Sequence, residues 1–318
     1  MKILVTGGAG FIGSHIVDSF LAVGHEVLVA DNLSTGRAEN INPQARFYQV
    51  DIRDPELDSL IEQERPEVVS HQAARANVRE AMQNPLLYAE VNVLGSLSLL
   101  ESCRRHGVRK VIYASTGGAT YGEPECLPVP ETHPVNPLDP YGASKHHVEH
   151  YLFLYRANFG IDYTILRYPN VYGPRQDPYG EGGVIATFLG HMSAGTPPVI
   201  NGSGEQERDF VYVQDIARAN LCALERGGGG LYNIGSGRGT TINEIYATLA
   251  RLTDYSQPPV HGPAKPGEVF RSYLDSTRAN EELDWHMAIA LEEGLLRTYE
   301  YFRCTISPLK ATEPGAIL

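Results

Sequence analysis

A glycine-rich turn between an apolar strand and an amphipathic helix, near the amino terminus, constrains the fold of this chain most. Residues 2–6 are rich in apolar and β-branched types, and a GxxGxxG pattern follows them in Gly7-Gly8-Ala9-Gly10-Phe11-Ile12-Gly13. Apolar residues at helical spacing over 12–23 and a second apolar strand at 26–31 complete a strand–helix–strand unit. Such a compact unit predicts two parallel neighbours in one sheet.

The same alternation continues to residue 168. Apolar runs predict strands at about 46–50, 67–71, 109–115 and 162–168, and helical spacing predicts helices at 55–64, 85–106 and 142–158. Strands that are apolar at nearly every position, such as 110–114, are typical of a sheet covered on both faces. We therefore predict an α/β fold, a Rossmann-like doubly wound parallel sheet.

The composition changes after residue 170 and predicts a second, smaller domain. Residues 171–208 are rich in Gly, Pro and polar types, which indicates the start of a mixed C-terminal substrate cap. We expect a dinucleotide-binding domain over 1–170 and a cap over 171–318. Predicted strands near 210–213 and 231–234 are expected to return to the main sheet, so that segments near 210–236 join the first domain. A helix at 242–252 and residues 260–300 complete the cap, and the tail 305–318 is expected to be frayed.

Charge and cysteine spacing exclude several classes of protein. The formal net charge is −12, so the chain lacks the basic footprint of a nucleic-acid or anionic-membrane binder. No stretch reaches the roughly 18 apolar residues of a membrane span, and no signal peptide is visible. Four well-separated cysteines form no CxxC or Cys/His cluster, which favours thiols in a reducing cytoplasm and no metal site: Cys103, Cys126, Cys222 and Cys304.

The glycine pattern predicts a dinucleotide site. Gly7 suits the tight turn, Gly10 lets a pyrophosphate approach the backbone, and Gly13 allows close helix–strand packing. Amides of the first helical turn, at Phe11 and Ile12, would donate to the phosphates. Asp31 ends the second strand, where a carboxylate accepts from ribose hydroxyls and repels a 2′-phosphate, so NAD is expected over NADP. A nearby cation, Arg37, keeps NADP open as an alternative.

Further cofactor contacts are expected where later strands end. Asp51 is a candidate for the adenine amino group and Ile52 for the ring face, although Asp54 is equally a candidate N-cap of the next helix. His71 is expected to be a packed strand residue rather than a catalyst. The remaining predicted cofactor contacts are two small residues after the fourth strand and two polar residues after Asp31: Ala73, Ala74, Asn32 and Ser34.

Tyr141-Gly142-Ala143-Ser144-Lys145 places a phenol and an ammonium one helical turn apart. A phenol has a pKa near 10, and a neighbouring ammonium favours its ionised form. Lys145 is also placed to hold the nicotinamide ribose. A pair of hydroxyls, Ser115-Thr116, ends an earlier predicted strand. With the glycine turn, these residues predict alcohol oxidation and reduction beside a nicotinamide.

Motifs in the same order over nearly the whole chain resemble the extended short-chain dehydrogenase/reductases, within them the nucleotide-sugar epimerases of the NAD-dependent epimerase/dehydratase family. The motifs are TGGAGFIGSH (6–15), DN (31–32), HQAA (71–74), ASTGGATYGE (114–123), PYGASK (140–145), RYPNVYGPRQ (167–176), RDFVYVQDIA (208–217) and YNIGSG (232–237). The resemblance implies inversion at C4 of a UDP-hexose, UDP-glucose or UDP-galactose, through a transient 4-keto sugar with permanently bound NAD.

The resemblance also implies roles for the hydroxyl residues. Tyr141 would be the base, Lys145 its electrostatic partner, and Thr116, or Ser115 beside it, the proton relay. Some relatives carry a Ser or Thr at the position of Gly117. The spacing from Thr116 to Tyr141 suits the relay, so Thr116 is expected, with Ser115 as the alternative if a local bulge presents it. Dehydratases carry Asp-Glu after the catalytic Thr, whereas Gly117-Gly118 stand here, which favours epimerisation without elimination.

For the substrate, the resemblance places Tyr168 beside the nicotinamide and Asn170 on the diphosphate. It implies that an arginine fork, at Arg208 or Arg271, also binds the diphosphate. The remaining expected contacts are two residues flanking the uracil and one reading the uridine ribose: Ile200, Asn201 and Glu268. Small Ser272 stands where some relatives carry a bulky residue, and we expect it to admit N-acetylhexosamines.

Three alternatives remain at this point. A UDP-glucuronate 4-epimerase would need an extra cation, for which Arg75 and Arg175 are candidates, and a UDP-N-acetylhexosamine 4-epimerase would share the same scaffold. A non-catalytic NAD-binding sensor is the remote third, because nothing would preserve its Tyr/Lys pair. Helices 85–106 and 142–158 carry apolar residues on more than one face, which predicts a homodimer through these helices, with burial inside one chain as the alternative.

Overall fold

The computed structural model describes residues 1–179, 183–264 and 269–305. Its main sheet has seven parallel strands in the order β11-β6-β5-β4-β1-β2-β3. These strands are β1 (Lys2–Thr6), β2 (Glu26–Asp31), β3 (Arg46–Gln49), β4 (Val68–His71), β5 (Lys110–Thr116), β6 (Asp162–Tyr168) and β11 (Gly230–Asn233). The predicted parallel sheet is therefore confirmed, with strand bounds shifted by about one residue.

Helices cover both faces of this sheet, because alternate residues of each strand point to opposite sides. Val5 and Ala114 pack with α1 (Phe11–Ala22) and α9 (Val213–Ala223) on one face. Leu4 and Tyr113 face the other side, where the covering helices are α2 (Glu56–Glu64), α5 (Gly95–His106) and α7 (Pro140–Phe159). The doubly wound, Rossmann-like arrangement is confirmed.

The predicted helix 85–106 is one helical run with an unusual middle. It comprises α4 (Pro85–Tyr88), a π-helical segment over Ala89–Leu94, and α5. A short helix precedes it, α3 (Val78–Gln83), which the periodicity did not predict. The Asn77 side chain caps α3 by accepting from the amides of Arg79 and Glu80. The π-helical segment changes which residues face the interior, and it brings Asn92 inward.

Segments after residue 170 build a second core cluster of their own. The short strands of this part of the chain are β7 (Asn170–Tyr172), β8 (Val199–Asn201), β9 (Glu207–Arg208), β10 (Phe210–Tyr212), β12 (Thr240–Thr241), β13 (Val260–Gly262) and β14 (Arg271–Ser272). Its helices are α8 (Val184–Ser193), α10 (Ile242–Thr253) and α11 (Leu291–Thr305). The short α6 (Gly117–Thr120) follows β5. Residues 306–318, most of the predicted frayed tail, lie outside the described residues.

One expectation about the return to the main sheet is wrong. The strand near 210–213, observed as β10, pairs in parallel with β7 and does not join the seven-stranded sheet. The edge beside β6 is already taken by β11, whose Leu231 aligns with Ile165. The strand predicted near 231–234 does return as expected, and α9 packs on α1. In the described ranges, no helix combines the length and apolar character that a membrane span requires.

Candidate active site

The glycine turn after β1 has the shape that a diphosphate needs. Gly7 has φ +70°, a left-handed value that suits glycine, and a Cβ at Gly13 would overlap the Gly7 carbonyl oxygen. Gly10 occupies the N-cap of α1 without a side-chain capping bond. The amides of Phe11 and Ile12, in the first turn, are therefore available to an anion at the positive end of the helix. The turn fits the diphosphate of a dinucleotide.

Asp31 lies at the end of β2, directly beside this turn. Its carboxylate accepts hydrogen bonds from the backbone amides of Ala9 (3.0 Å) and Leu33 (2.8 Å). Burial raises its pKa above the usual value for an aspartate. A Cβ at Gly36 would lie 2.8 Å from this carboxylate, so the chain passes close to it without filling the space. Asp31 fits the role of acceptor for ribose hydroxyls.

The next strand end brings the two predicted adenine contacts, Asp51 and Ile52, close to other predicted cofactor contacts. The Asn32 side chain donates to Asp51 (2.7 Å) and accepts from the amide of Ser34 (2.9 Å). Arg53 donates two side-chain hydrogen bonds to Asp51 and lowers its pKa to about 2, so Asp51 is an ionised acceptor. Ile52 is buried beside them.

The alternative N-cap role of Asp54 is wrong. Pro55 occupies the N-cap of α2, and no side chain caps this helix. Proline at the cap fixes the backbone entry into the helix, which leaves the Asp54 side chain outside the capping position. The carbonyl of Asp54 nevertheless accepts from the amide of Leu57 (3.1 Å).

The loop after β4 passes close to the glycine turn. A Cβ at Gly7 would lie 2.7 Å from the amide nitrogen of Ala73, so Ala73 and then Ala74 follow the turn closely. His71 is buried, and its two ring nitrogens are hydrogen-bonded to the hydroxyls of Thr6 (2.7 Å) and Ser96 (2.8 Å). Burial lowers its pKa to about 3. His71 is therefore a neutral, packed residue, as expected.

The candidate catalytic pair, Tyr141 and Lys145, lies at the start of helix α7. The Asp139 side chain accepts from the amide of Gly142 (2.8 Å), and Pro140 occupies the first helical position. These signals start the helix two residues earlier than predicted and place Tyr141 and Lys145 in its first two turns. Tyr141 is partly exposed, whereas Lys145 is buried.

Asn92, which the sequence analysis missed, connects this helix to the loop after β4. Its side chain donates to the hydroxyl of Ser144 (2.9 Å), which in turn donates to the carbonyl of Tyr141 (2.8 Å). It also binds the backbone amide (2.8 Å) and carbonyl (3.0 Å) of Arg75. Asn92 is buried in the π-helical segment, and no periodicity in the sequence indicates that it faces inward.

Lys145 sits in an apolar environment that weakens its charge. Its Nζ lies 4.4 Å from the centroid of the Tyr113 ring. Burial lowers its pKa to about 7, while the negative charge of Glu149 acts in the opposite direction. Near neutral pH, an anion that forms beside Lys145 would therefore stabilise the protonated, charged form of the lysine. A Tyr141 phenolate, one turn earlier, would be such an anion, so the two ionisations are coupled.

The two candidate hydroxyls lie at the end of β5 and have different surroundings. Ser115 donates to Glu149 (2.6 Å), and Arg167 binds the same carboxylate through two hydrogen bonds of 2.8 and 2.6 Å. Thr116 is the adjacent residue and aligns with Tyr168 on β6. Because successive strand residues point to opposite faces, Thr116 does not share the environment of Ser115.

The loop after β5 packs directly on the start of α7. A Cβ at Gly142 would overlap the carbonyl oxygen of Ala119 in α6. The end of β5, with Thr116, therefore lies close to the first turn of α7, with Tyr141. Glycine at position 142 is what permits this approach.

Tyr168 is buried at the end of β6. Its hydroxyl accepts from the Asn220 side chain (2.8 Å) and donates to Gln72 (3.4 Å). Asn220 also accepts from the hydroxyl of Ser70 (3.2 Å). This network fixes Tyr168 at the same edge of the sheet as the ends of β1 and β4.

A cleft lies beyond this edge of the sheet, and two of the predicted substrate residues, Asn170 and Arg208, line it. Its lining also includes Gln176, Phe210 and Ile242. The Arg208 guanidinium donates to the carbonyls of Glu207 (2.9 Å) and Phe270 (3.3 Å), which orient it.

The other predicted substrate residues have different surroundings. Arg271 forms an ion pair with Glu207 (3.3 Å), and Ser272 aligns with Arg208 between β14 and β9. Ile200 is buried in the second core, and the Asn201 carbonyl accepts from Gln206 (3.0 Å). Glu268 lies outside the described residues.

Comparisons with known proteins point in one direction. The model of the NAD dependent epimerase/dehydratase family matches residues 3–235. A UDP-glucose 4-epimerase from Thermotoga maritima, solved with UDP-glucose, is 50% identical with a TM-score of 0.95, covering 96% of this chain and 99% of that chain. The UDP-glucose 4-epimerase of Thermus thermophilus, in complex with NAD, is 44% identical with a TM-score of 0.92, covering 96% of this chain and 100% of that chain.

A relative known by sequence gives the same result. The UDP-glucose 4-epimerase of Mycolicibacterium smegmatis is 43% identical over 309 residues, which cover 95% of this chain and 99% of that protein. The match to the family model includes the glycine turn, the Tyr141–Lys145 pair and, in the cleft, Asn170 and Arg208. The chain belongs to the NAD-dependent epimerase/dehydratase family.

Proposed function

We propose that this chain inverts the configuration at C4 of a UDP-hexose and interconverts UDP-glucose and UDP-galactose. The observation that carries the proposal is the position of Tyr141 and Lys145. They lie in the first two turns of α7, which pack against the loop that follows Thr116. A base and a hydroxyl beside a dinucleotide turn are what oxidation and reduction of a sugar alcohol require. The relatives named above, with their UDP-glucose and NAD, support this proposal.

The residues of the sheet edge would hold NAD. The turn of Gly7, Gly10 and Gly13 would take the diphosphate, and Asp31 the adenosine ribose. Asp51, Ile52, Asn32 and Ser34 would surround the adenine end, and Lys145 and Tyr168 would contact the nicotinamide end. NAD, when bound, supplies the hydride acceptor and donor for C4.

The chain itself moves the proton. Tyr141, as the phenolate that Lys145 stabilises, takes the proton from the O4 hydroxyl of the sugar, directly or through Thr116, and becomes a neutral phenol. When the 4-keto sugar has turned its other face, Tyr141 returns the proton to O4. Tyr141 is partly exposed and can reach the sugar, whereas Lys145 is buried and shielded from water.

The cleft would hold the nucleotide and its diphosphate. Asn170 and Arg208 line it, and a guanidinium pairs well with phosphate oxygens. Arg271 would have to leave Glu207 in order to contribute. Ile200, Asn201 and Glu268 are the proposed contacts of the uridine.

A second substrate is favoured by one observation. Ser272 is small and buried, on the strand that pairs with β9 and therefore beside Arg208. A small side chain there leaves room for an N-acetyl group, so we propose that UDP-N-acetylgalactosamine is also turned over. A UDP-glucuronate substrate is less well supported, because Arg75 pairs with Glu80 (2.5 Å) and Arg175 with Asp18 (2.7 Å).

A direct assay tests these substrates. Purified protein without added NAD is incubated with UDP-galactose, UDP-N-acetylgalactosamine or UDP-glucuronate, and NMR identifies the C4 configuration. We expect inversion of the first two. The variant Ser272→Tyr should keep UDP-galactose turnover and lose that of the N-acetyl sugar. If the ratio of the two turnover rates is unchanged in Ser272→Tyr, Ser272 does not line the sugar pocket. If none of the substrates is inverted at C4, the proposed reaction is wrong.

We also propose a homodimer through α4–α5 and α7. The π-helical segment and α7 expose large apolar side chains, among them Leu94 (59% exposed) and Phe153 (53% exposed). Covering such residues on two adjacent helices would favour a symmetric helical interface. Light scattering should give twice the chain mass, and Phe153→Glu should give a monomer. A wild-type monomer at micromolar concentration would contradict this.

A cytoplasmic location is proposed from the cysteines. All four are free thiols, and two of them, Cys126 and Cys304, are exposed. Exposed thiols persist in a reducing compartment. Cell fractionation should place the protein with cytoplasmic markers, and enrichment in an oxidising compartment would contradict the proposal.

A further inference from the structure

The Tyr113 side chain contacts Lys145 twice, through its ring and through its hydroxyl. The lysine Nζ lies 4.4 Å from the centroid of the Tyr113 ring, and the Tyr113 hydroxyl points to the carbonyl of Lys145 (3.4 Å). Tyr113 is fully buried and Lys145 is 3% exposed. The contact is therefore shielded from water, where an ammonium over an aromatic face is attracted most strongly.

Few other groups are placed to stabilise this ammonium. Within the part of the chain that the structure describes, Lys145 forms no salt bridge. His71, from β4, is neutral because it is buried and hydrogen-bonded at both ring nitrogens. Glu149, one turn after Lys145, favours the ammonium through its negative charge, but Arg167 from β6 binds the same carboxylate. Of the titratable groups around Lys145, Tyr141 remains, and it is the group whose charge Lys145 is proposed to support.

On the basis of the proposed function, we propose that Tyr113 is a positioning residue: its ring holds the Lys145 ammonium by a cation–π contact and so maintains the positive charge that Tyr141 needs in order to act as a base. Tyr113 touches neither the sugar nor the base in this scheme. It acts through Lys145 alone, and the π face, not the hydroxyl, carries the effect.

Electrostatics support this role. Burial lowers the pKa of Lys145 to about 7, so that near neutral pH desolvation leaves the ammonium only partly populated. A cation–π contact favours the charged form of the lysine alone, and its loss would shift the balance toward the neutral amine. A neutral amine would no longer stabilise a Tyr141 phenolate, so the phenol would ionise at higher pH.

The test compares two variants in the NAD-loaded protein. Tyr113→Phe keeps the ring face, and Tyr113→Leu removes it while keeping an apolar side chain. Ionisation of Tyr141 is followed by ultraviolet absorbance, as the difference between each protein and the same protein carrying Tyr141→Phe. We expect the midpoint of Tyr113→Leu to rise by about one pH unit, with a roughly tenfold lower kcat at neutral pH. Tyr113→Phe should stay near the wild type in both measurements.

Two results would overturn the proposal. One is an unchanged phenolate midpoint in Tyr113→Leu, which would make the ring a packing residue. The other is an equal shift in Tyr113→Phe, which would assign the effect to the hydroxyl. If Tyr113→Leu fails to fold, phenylalanines of increasing fluorination at position 113 keep the ring size while weakening the π face. The midpoint should then rise stepwise, and a constant midpoint would contradict the proposal.

The absorbance titration needs no sugar, so it separates this proposal from the proposed reaction. If the Tyr113 variants show the expected shifts but the wild-type protein inverts no UDP-hexose, the proposed reaction is wrong and the proposed role of the Tyr113–Lys145 contact still holds.

Discussion

The hydroxyl of Ser115 donates a hydrogen bond of 2.6 Å to the carboxylate of Glu149, away from the face on which Thr116 lies. This relationship distinguishes the two candidate hydroxyls, Ser115 and Thr116, by their surroundings. Ser115 belongs to a buried polar cluster with Glu149 and Arg167. Thr116 is the hydroxyl left to serve the sugar.

Replacement of Thr116 should therefore impair catalysis. Thr116→Val keeps the side-chain shape and removes the hydroxyl, and we expect kcat for UDP-galactose to fall by about two orders of magnitude. Ser115→Ala is the matched control, and its kcat should stay within about threefold of the wild type. The opposite pattern, in which Ser115→Ala loses turnover and Thr116→Val keeps it, would assign the relay to Ser115.

The Glu149–Arg167 pair should matter for stability far more than a surface pair. Both side chains are buried, so Glu149→Gln leaves an uncompensated guanidinium, and we expect a loss of about 3–5 kcal/mol of unfolding free energy. Asp58→Asn, which breaks the partly exposed contacts of this carboxylate with Arg105 and His106, should cost at most about 1 kcal/mol. Urea unfolding followed by circular dichroism measures both. Equal losses in the two variants would contradict the ranking.

Substitution of Asp31 should weaken the retention of NAD. In Asp31→Ala the acceptor beside the glycine turn is lost, and we expect the purified protein to carry much less bound NAD after gel filtration. Asp54→Ala, an exposed carboxylate outside the predicted cofactor contacts, should retain as much NAD as the wild type. Absorbance and enzymatic assay of released NAD give the occupancy. Full occupancy in Asp31→Ala would remove this residue from the cofactor site.

Stability should depend on pH through buried histidines. Burial lowers the pKa of His15 from 6.5 to about 4, so below pH 6.5 the unfolded chain binds a proton that the folded chain does not. The unfolding free energy therefore falls as the pH drops through this window, by about 1 kcal/mol per pH unit for this residue. His71 acts in the same direction, whereas Asp209, with a pKa raised to about 6, acts in the opposite one.

The variant His15→Asn isolates this contribution. Between about pH 5 and pH 6 its stability should vary less steeply than that of the wild type, by the amount given above. His150→Asn, at an exposed histidine, should keep the wild-type slope. Urea unfolding at several pH values provides the slopes, and an identical slope for His15→Asn and the wild type would show that His15 is protonated in the folded chain.

Much of the fold could be predicted because it rests on local patterns. The strand–turn–helix at the amino terminus requires Gly7 and Gly13 at set positions, and the buried strands follow from continuous apolar runs. The failures have different causes. The strand at Phe210–Tyr212 is apolar like the others, and only the occupation of the β6 edge by β11 excludes it from the main sheet.

Polar residues that face the interior were the main omission from the candidate site. Asn92 and Glu149 are polar residues on helices, a pattern that normally indicates a solvent-exposed face. Their burial depends on partners that are distant in sequence, Ser144 for Asn92 and Arg167 for Glu149. Helical periodicity contains no information about such partners. An acidic residue one turn after Lys145 was the one available signal.

Turnover by Tyr141→Phe tests the central role of the phenol most directly. The variant keeps the ring and the start of α7 and removes only the proton acceptor. With NAD occupancy equal to that of the wild type, C4 inversion of UDP-galactose should fall by at least about three orders of magnitude at every pH. A Tyr141→Phe protein that still converts UDP-galactose to UDP-glucose near the wild-type rate would place the base elsewhere.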